Sequence, residues 1–540
     1  MAICSDPGAE LAAASAALRQ VRLSRAQAFA LPVAFTVSLA AFILLEPVRE
    51  NRRLWWSFIG AAAALLVWNA ILFASARRVH RSFTLEVSLR AQHYLQACVH
   101  TSIFLYWGWY WRQVYHSYYL IVAQLLFAYA FGILLSWSRR DTYTLGFGPL
   151  PVIFSINLFL WFRPDWFYLQ FLMVAIGFAA KELIRWNKDG RRVHIFNPSS
   201  FALMVFSLGL ILTNATDITW GKDIAVTQFF PPHMYLFLFL VGLPGQYLFG
   251  VTTMTMSAVI TTYLFSVDYF AATGVYFFGD SYIPIAVFLG MHLLFTDPST
   301  SPRTELGRIV FGVLYGLGVV GLYEALGRSG LPPFYDKLLP VPLLNVSIQL
   351  IDRLARSKLF RRIDLSNLGR SLAGRQRNLA YMAVWAAVFA VMSATHGLSD
   401  EHPGQWLPFW QQACEKDRSY SCRYLADLQA NYCAGGSGWS CNEFGIMQAT
   451  REKDRAGAVV ALERGCALGF PPACGNARQA IAGAGASAFQ TAPPTLDDYP
   501  IILQGSKAPI ADRTPASLYA RACKQGWRDA CQRAGASGVN

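Results

Sequence analysis

Apolar residues gather along this chain into runs separated by short polar and basic stretches. A helix needs about 20 apolar residues to cross roughly 30 Å of hydrocarbon. Runs approaching that length lie at 28–46, 54–75, 94–111, 117–137, 149–162, 166–184, 200–213, 234–250, 252–270, 282–296, 309–327 and 379–396. Several are short enough to be half-helices. The pattern predicts an all-α, polytopic transmembrane bundle of about 10–13 helices, some of them broken. The first run is long, lacks a small-residue cleavage pattern and is followed closely by a second span, so it reads as a membrane helix rather than a cleaved signal.

Basic clusters orient the bundle. Arg77 and Arg78, Arg139 and Arg140, Arg185 to Arg192, and Arg303 to Arg308 are expected on the cytoplasmic side. The densest cluster, 356–378, holds seven basic residues (Arg356, Lys358, Arg361, Arg362, Arg370, Arg375, Arg377) against one acidic, Asp364. A last helix at 379–397 then delivers 398–540 to the opposite face. The expected organisation is N-terminal spans over 1–112, a core over 113–355, a cytoplasmic linker over 356–378, the last span, and an extracytoplasmic domain over 398–540. Twelve complete crossings from a cytoplasmic start would end in the cytoplasm. Either 338–352 is a further partial crossing, one run does not cross, or the N-terminus lies outside.

Composition agrees. The 540 residues are 54% hydrophobic and 14% charged, against about 25% charged in soluble domains. Disorder and a simple soluble enzyme are excluded. The net charge of +14 follows from loop topology, so the expected partner is a lipid bilayer and not nucleic acid.

Ten cysteines are present, and eight fall after 413, as Cys414 and Cys422, Cys433 and Cys441, Cys466 and Cys474, Cys523 and Cys531. Every pair has the spacing C-x7-C. Zinc sites favour shorter spacings, and no histidine follows His402, so no metal site is expected. The spacing suits a disulfide joining the end of one helix to the start of the next, which needs an oxidising compartment. The segments ALERGCALGFPPAC and YARACKQGWRDAC resemble cysteine-rich Sel1-like repeats over about 410–535. The 19-residue step between the first two pairs and the Pro-rich stretch 487–515 depart from a regular repeat. The resemblance implies stacked helix pairs that bind an extracytoplasmic protein through residues 400–540.

Two matching breaks carry the candidate chemistry: HIFNPSSFAL, 194–203, and LLFTDPSTSP, 293–302. Asn197 and Asp297 are N-cap residue types, and Pro198 and Pro298 suit the first helical position. Each break is expected to start a helix at the membrane boundary and to offer free amides to an anion. Lys181, Arg191, Arg192, His194, Ser199 and Ser200 flank the first site; Ser299, Thr300, Ser301, Arg303 and Arg308 flank the second.

The runs KELIRWNKDGRRVHIFNPSSFAL, 181–203, and MHLLFTDPSTSPRTELGRIVFGVLYGLG, 291–318, resemble the NqrB and RnfD family of membrane electron-transport subunits. PPHMYLFLFLVG and TGVYFFGDSYIPIAVFLGMH resemble its enediyne-cluster, UnbU-like branch. The likeness covers about 115–355. It implies a helix bundle that moves electrons by flavin alongside other subunits of a redox complex. Family members attach FMN to a Thr in a Ser-Gly-Ala-Thr motif on the non-cytoplasmic loop after the Asn-Pro helix. That loop here is 213–233; it lacks the motif, and its nearest equivalents are Thr227 and then Thr216.

His100, His194, His233 and His292 lie near span ends and are expected at the interface or hydrogen-bonded. Asp268 and Asp280 are expected at loop ends, and Glu324 sits at an apolar run. The aromatic clusters WWSF, YWGWYW and WFRPDWFY suit interfacial belts. Three functions compete: a redox membrane subunit, which is favoured, a transporter or channel of the same fold, and a scaffold recruiting a secreted partner. At most the chain is one redox subunit, not catalytic alone. The bacterial inner membrane, with 398–540 in the periplasm, is the expected location.

Overall fold

A computed structural model of the chain describes residues 19–78, 81–188, 190–360 and 372–537. Cys4, Arg361, Arg362, Asp364 and Arg370 lie outside the described residues. The chain is helical apart from short strands, and it divides into two compact units. One comprises 1–263 and 285–394, the other 264–284 and 395–540. The second unit therefore takes a segment from within the region 113–355.

The first unit holds α1 (Arg25–Ala40), α2 (Arg52–Arg78), α3 (Ala91–Tyr110), α4 (Tyr118–Arg139), α5 (Pro149–Asn157), α6 (Phe167–Leu183) and α7 (Pro198–Leu212). It continues through α8 (Gly221–Thr227), α9 (Met234–Phe249), the first half of α10 (Thr252–Thr273), α11 (Ile285–Leu289), α12 (Glu305–Arg328), α13 (Pro340–Ala355) and α14 (Gly374–Ala394). Among the described residues seven helices are long and apolar enough to cross a membrane, including one over Pro333–Ala355. Pro198–Leu212, Met234–Phe249 and Ile285–Leu294 are shorter apolar helices. This is a membrane protein. The run 149–162 is not one helix: α5 ends at Asn157, about 14 Å long at 1.5 Å per residue, too short to cross.

Short strands lie beside the basic loops. Strand β1 (Arg19–Leu23) pairs antiparallel with β2 (Phe83–Val87), and β2 pairs parallel with β3 (Thr142–Leu145). Strands β4 (Arg185–Lys188) and β5 (Arg191–His194) form a hairpin leading into Asn197. Inside the bundle, Gln124, Asn157 and Gln170 bond to one another across α4, α5 and α6 at 2.8 to 3.0 Å. This satisfies amides that hydrocarbon would otherwise penalise. Gly177 permits α6 to meet the first turn of α7, because a Cβ there would lie 2.7 Å from the Pro198 carbonyl.

The second unit contains α15 (Leu407–Glu415), α16 (Ser421–Ala434), α17 (Gly438–Met447), α18 (Arg455–Ala467), α19 (Pro471–Ala482), α20 (Pro515–Lys524) and α21 (Arg528–Ser537). All four C-x7-C pairs are disulfides, each joining consecutive helices. The 19-residue step arises because α16 is stapled at both ends. The Pro-rich stretch packs into the same core, contributing Tyr499, Ile502, Leu503 and Ile510. The buried Asp498 fixes it by accepting bonds from Ser437 Oγ at 2.7 Å, the Trp439 amide at 3.0 Å and the Thr495 amide at 2.9 Å.

Candidate functional site

The first break begins a helix. Asn197 has extended backbone and caps α7: its Oδ1 accepts from the amides of Ser199 at 3.0 Å and Ser200 at 3.4 Å, and from Ser199 Oγ at 2.7 Å. These amides were expected to be open to an anion. The cap residue itself closes them, because its amide oxygen reaches the first turn before any ligand does.

The second break departs from expectation. Pro298–Thr300 is a single 3-10 turn, with the Ser299 amide donating to Asp297 Oδ1 at 2.9 Å. Pro302 holds Ser301 extended, so the turn cannot propagate. The long helix starts only at Glu305, where Thr304 Oγ1 accepts from the Gly307 amide at 3.1 Å.

The two breaks meet. Asn197 Nδ2 donates to the Leu294 carbonyl at 3.0 Å. The Asn197 amide donates to Asn345 Oδ1 at 3.2 Å, while Asn345 Nδ2 donates to the Thr300 carbonyl at 3.0 Å. Lys188 Nζ donates to the Ser301 carbonyl at 2.7 Å. Asp352 accepts from the amides of Arg303 and Thr304 at 3.0 and 3.1 Å and from Thr304 Oγ1 at 3.0 Å. His194 Nε2 lies 3.4 Å from Asp297 Oδ2. Burial opposes the charge on Asp297, but the His194 bond and charge, the Ser299 amide and Lys181 outweigh it and hold the carboxyl below its ordinary value.

Pro198, Ser199, Ser200 and Thr300 are buried in this polar knot, whereas Arg192, Ser299 and Arg303 are exposed. Arg191 lies in β5. Arg308 turns to Glu305 at 2.7 Å and the Pro302 carbonyl at 3.2 Å. Sequence reasoning missed Asn345, Asp352 and Lys188. The first two carry a readable signal: polar residues seven apart in an apolar run lie on one helix face.

Thr227 is not part of this group. It ends α8, beyond the far end of α7, a fifteen-residue helix about 22 Å long. Its hydroxyl is buried and accepts from Trp107 Nε1 at 3.1 Å. Trp107 is itself buried, not an interfacial belt residue, and makes tilted ring contacts with Trp111 and Trp161. Thr216 starts a 3-10 turn, and its carbonyl accepts from Thr219 Oγ1 at 2.9 Å.

The remaining polar residues separate clearly. His100 bonds to the Gln96 carbonyl at 2.6 Å and lies 3.2 Å from Ser155 Oγ. His292 sits in a π-helical turn, Gly290–Leu294, with Nδ1 2.8 Å from the Phe288 carbonyl and Nε2 buried without a partner among the described residues. His233 has a positive φ of 55° at the start of α9. Glu324 pairs with Arg328 at 2.6 Å. In the second unit Asp280 accepts from Ser506 at 2.9 Å and Ser281 at 3.1 Å, and burial raises its carboxyl above the ordinary value. No family model, no curated protein and no solved structure matches this chain.

Proposed function

We propose that this chain is a membrane-embedded subunit of an electron-transport complex of the kind its likeness to NqrB and RnfD implies. In this reading it sits in a bacterial inner membrane, with the disulfide-bonded unit in the periplasm. One observation carries it: the two segments on which the likeness rests meet through Asn197 and Asn345, although about a hundred residues separate them. Irregular backbone at membrane depth persists where it is buried in protein, and such meeting points are where bundles build sites. The basic loops and the eight paired cysteines support the assigned sides.

FMN bonded through Thr227 does not fit. That hydroxyl is buried against Trp107, so a phosphodiester there would have to displace the indole. A flavin in this reading is held without a bond to Thr227. The test is the visible spectrum of protein purified in mild detergent. Flavin absorption released into the supernatant by acid supports the reading; colour that stays with the precipitate restores the covalent link. A colourless, folded preparation overturns it in favour of a non-redox membrane scaffold or transporter. The sealed Thr227 hydroxyl favours that second reading. In either case residues 400–540, built as stapled Sel1-like hairpins, are the docking unit for an extracytoplasmic protein or for other subunits.

A further inference from the structure

The self-capped start of α7 is unlike two other helix starts in the same unit. Helix α3 begins after Arg90, and α5 begins after Gly148, and neither has a side-chain cap. Both starts border one cavity of about 240 Å³. The start of α3 directs unpaired N–H groups and a partial positive charge outward, whereas α5 offers no open amide in its first three positions: Pro149 and Pro151 have no N–H, and the Leu150 amide donates to the Phe147 carbonyl at 3.2 Å. Arg90, His93, Arg140, Lys181 and Arg185 also line this cavity, with Glu182 as its one carboxylate among the described residues. Glu182 is shared by Arg185 at 2.7 Å and Arg140 at 3.3 Å. Arg90 and Lys181 make no ion pair within contact distance among the described residues, although Lys181 also feels the charges of Asp297 and Glu182. The C-terminal turns of α4 and α6 border the cavity as well, and Arg185 Nε covers the Lys181 carbonyl at 3.1 Å.

A second observation points to a ligand. Ser88 lines the same cavity and is 3% exposed, yet its Oγ has no hydrogen-bond partner among the described residues. A buried hydroxyl without a partner costs about 1–3 kcal/mol, which a bound acceptor oxygen would relieve.

We propose that this cavity binds the phosphate of an anionic ligand, with Arg90, Lys181, the Ser88 hydroxyl and the uncapped start of α3 as its donors. The volume lies below the 300–1,000 Å³ of ordinary small-molecule sites, so it takes a phosphate and its immediate substituent rather than a nucleotide or a flavin. The source is a phospholipid headgroup or a free phosphorylated metabolite. Basic pockets between helices on the cytoplasmic side suit headgroups. The inference stands apart from the electron-transport reading.

The test uses full-length protein, delipidated in detergent and titrated separately with phosphatidylglycerol and with inorganic phosphate, with binding read by native mass spectrometry. Arg90→Gln and Lys181→Gln are each expected to weaken binding about tenfold, the effect of one charge-assisted hydrogen bond. Arg328→Gln, outside the cavity, leaves it unchanged. Arg90 is exposed, so its variant carries the test even where Lys181→Gln fails to fold. Variant-sensitive binding of the lipid alone assigns a headgroup, and variant-sensitive binding of inorganic phosphate assigns a free phosphate. Binding of neither probe, or equal binding by wild type and Arg90→Gln, overturns the proposal.

Discussion

The backbone N–H of Asn197 donates to the side chain of Asn345 at 3.2 Å, and through that one amide the start of α7 is tied to the loop after His292. Asn345 uses its acceptor on one break and its donor on the other, so a single side chain satisfies groups on two segments far apart in sequence.

Replacing Asn345 by Leu therefore removes two buried hydrogen bonds together. The expected loss is about 2–4 kcal/mol, because the Asn197 amide and the Thr300 carbonyl are left without partners. Asn345→Asp keeps the acceptor and is expected to cost less. Thermal unfolding of the detergent-solubilised protein ranks the two; equal melting temperatures for wild type and Asn345→Leu would refute the bridge.

Asp352 acts at the neighbouring turn. It collects the Arg303 and Thr304 amides and the Thr304 hydroxyl before α12 begins. Asp352→Ala is expected to destabilise by about 2–3 kcal/mol and to speed proteolysis near 300–305. Asn at this position is expected to retain part of the effect. Unchanged cleavage in the Ala variant would count against the role.

The four disulfides close short loops. Chain-entropy arguments give about 2.5 kcal/mol for a loop of this length. Removing the Cys466–Cys474 bond by a double Ser substitution is expected to lower the protease resistance of 398–540 while leaving the membrane bundle intact. Identical digestion patterns with and without reductant would contradict the staple as a stabilising element.

Glu443 gives the second unit a pH dependence. Burial raises its carboxyl from 4.5 to about 7, opposed by the Asn442 amide. The folded form therefore holds a proton that the unfolded chain has released between these values. The resulting stability is complete below pH 4.5 and is lost as pH rises through about 7. Relative to Glu443→Gln, the wild type is expected to lose on the order of 3 kcal/mol across that window. Parallel melting curves for both proteins from pH 4 to 8 would remove the effect.

Much of the architecture is legible without coordinates. A span is a local property: enough consecutive apolar residues to match the hydrocarbon, bounded by arginine or aromatic residues. The cysteine spacing is equally local, since eight residues bring a helix end back to the next helix start. Both readings depend on near neighbours in the chain, and both agree with the fold.

The site is different. Asn197 and Asp297 are visible as helix-start signals, but whether their amides stay open depends on side-chain conformation and on Asn345, which is 148 residues from Asn197. The expected helix at Asp297 failed because Pro302 stops the turn, and α12 needed the Thr304 cap to begin. The cavity beside Ser88 is invisible in the sequence, because its cations come from four separate elements that only packing brings together. The alternation of apolar runs, arginines and paired cysteines thus determined by itself a membrane bundle and a stapled helical unit. Only the tertiary structure decided which polar groups find partners and which are left over, since a buried group's partner is chosen by three-dimensional proximity and not by spacing along the chain.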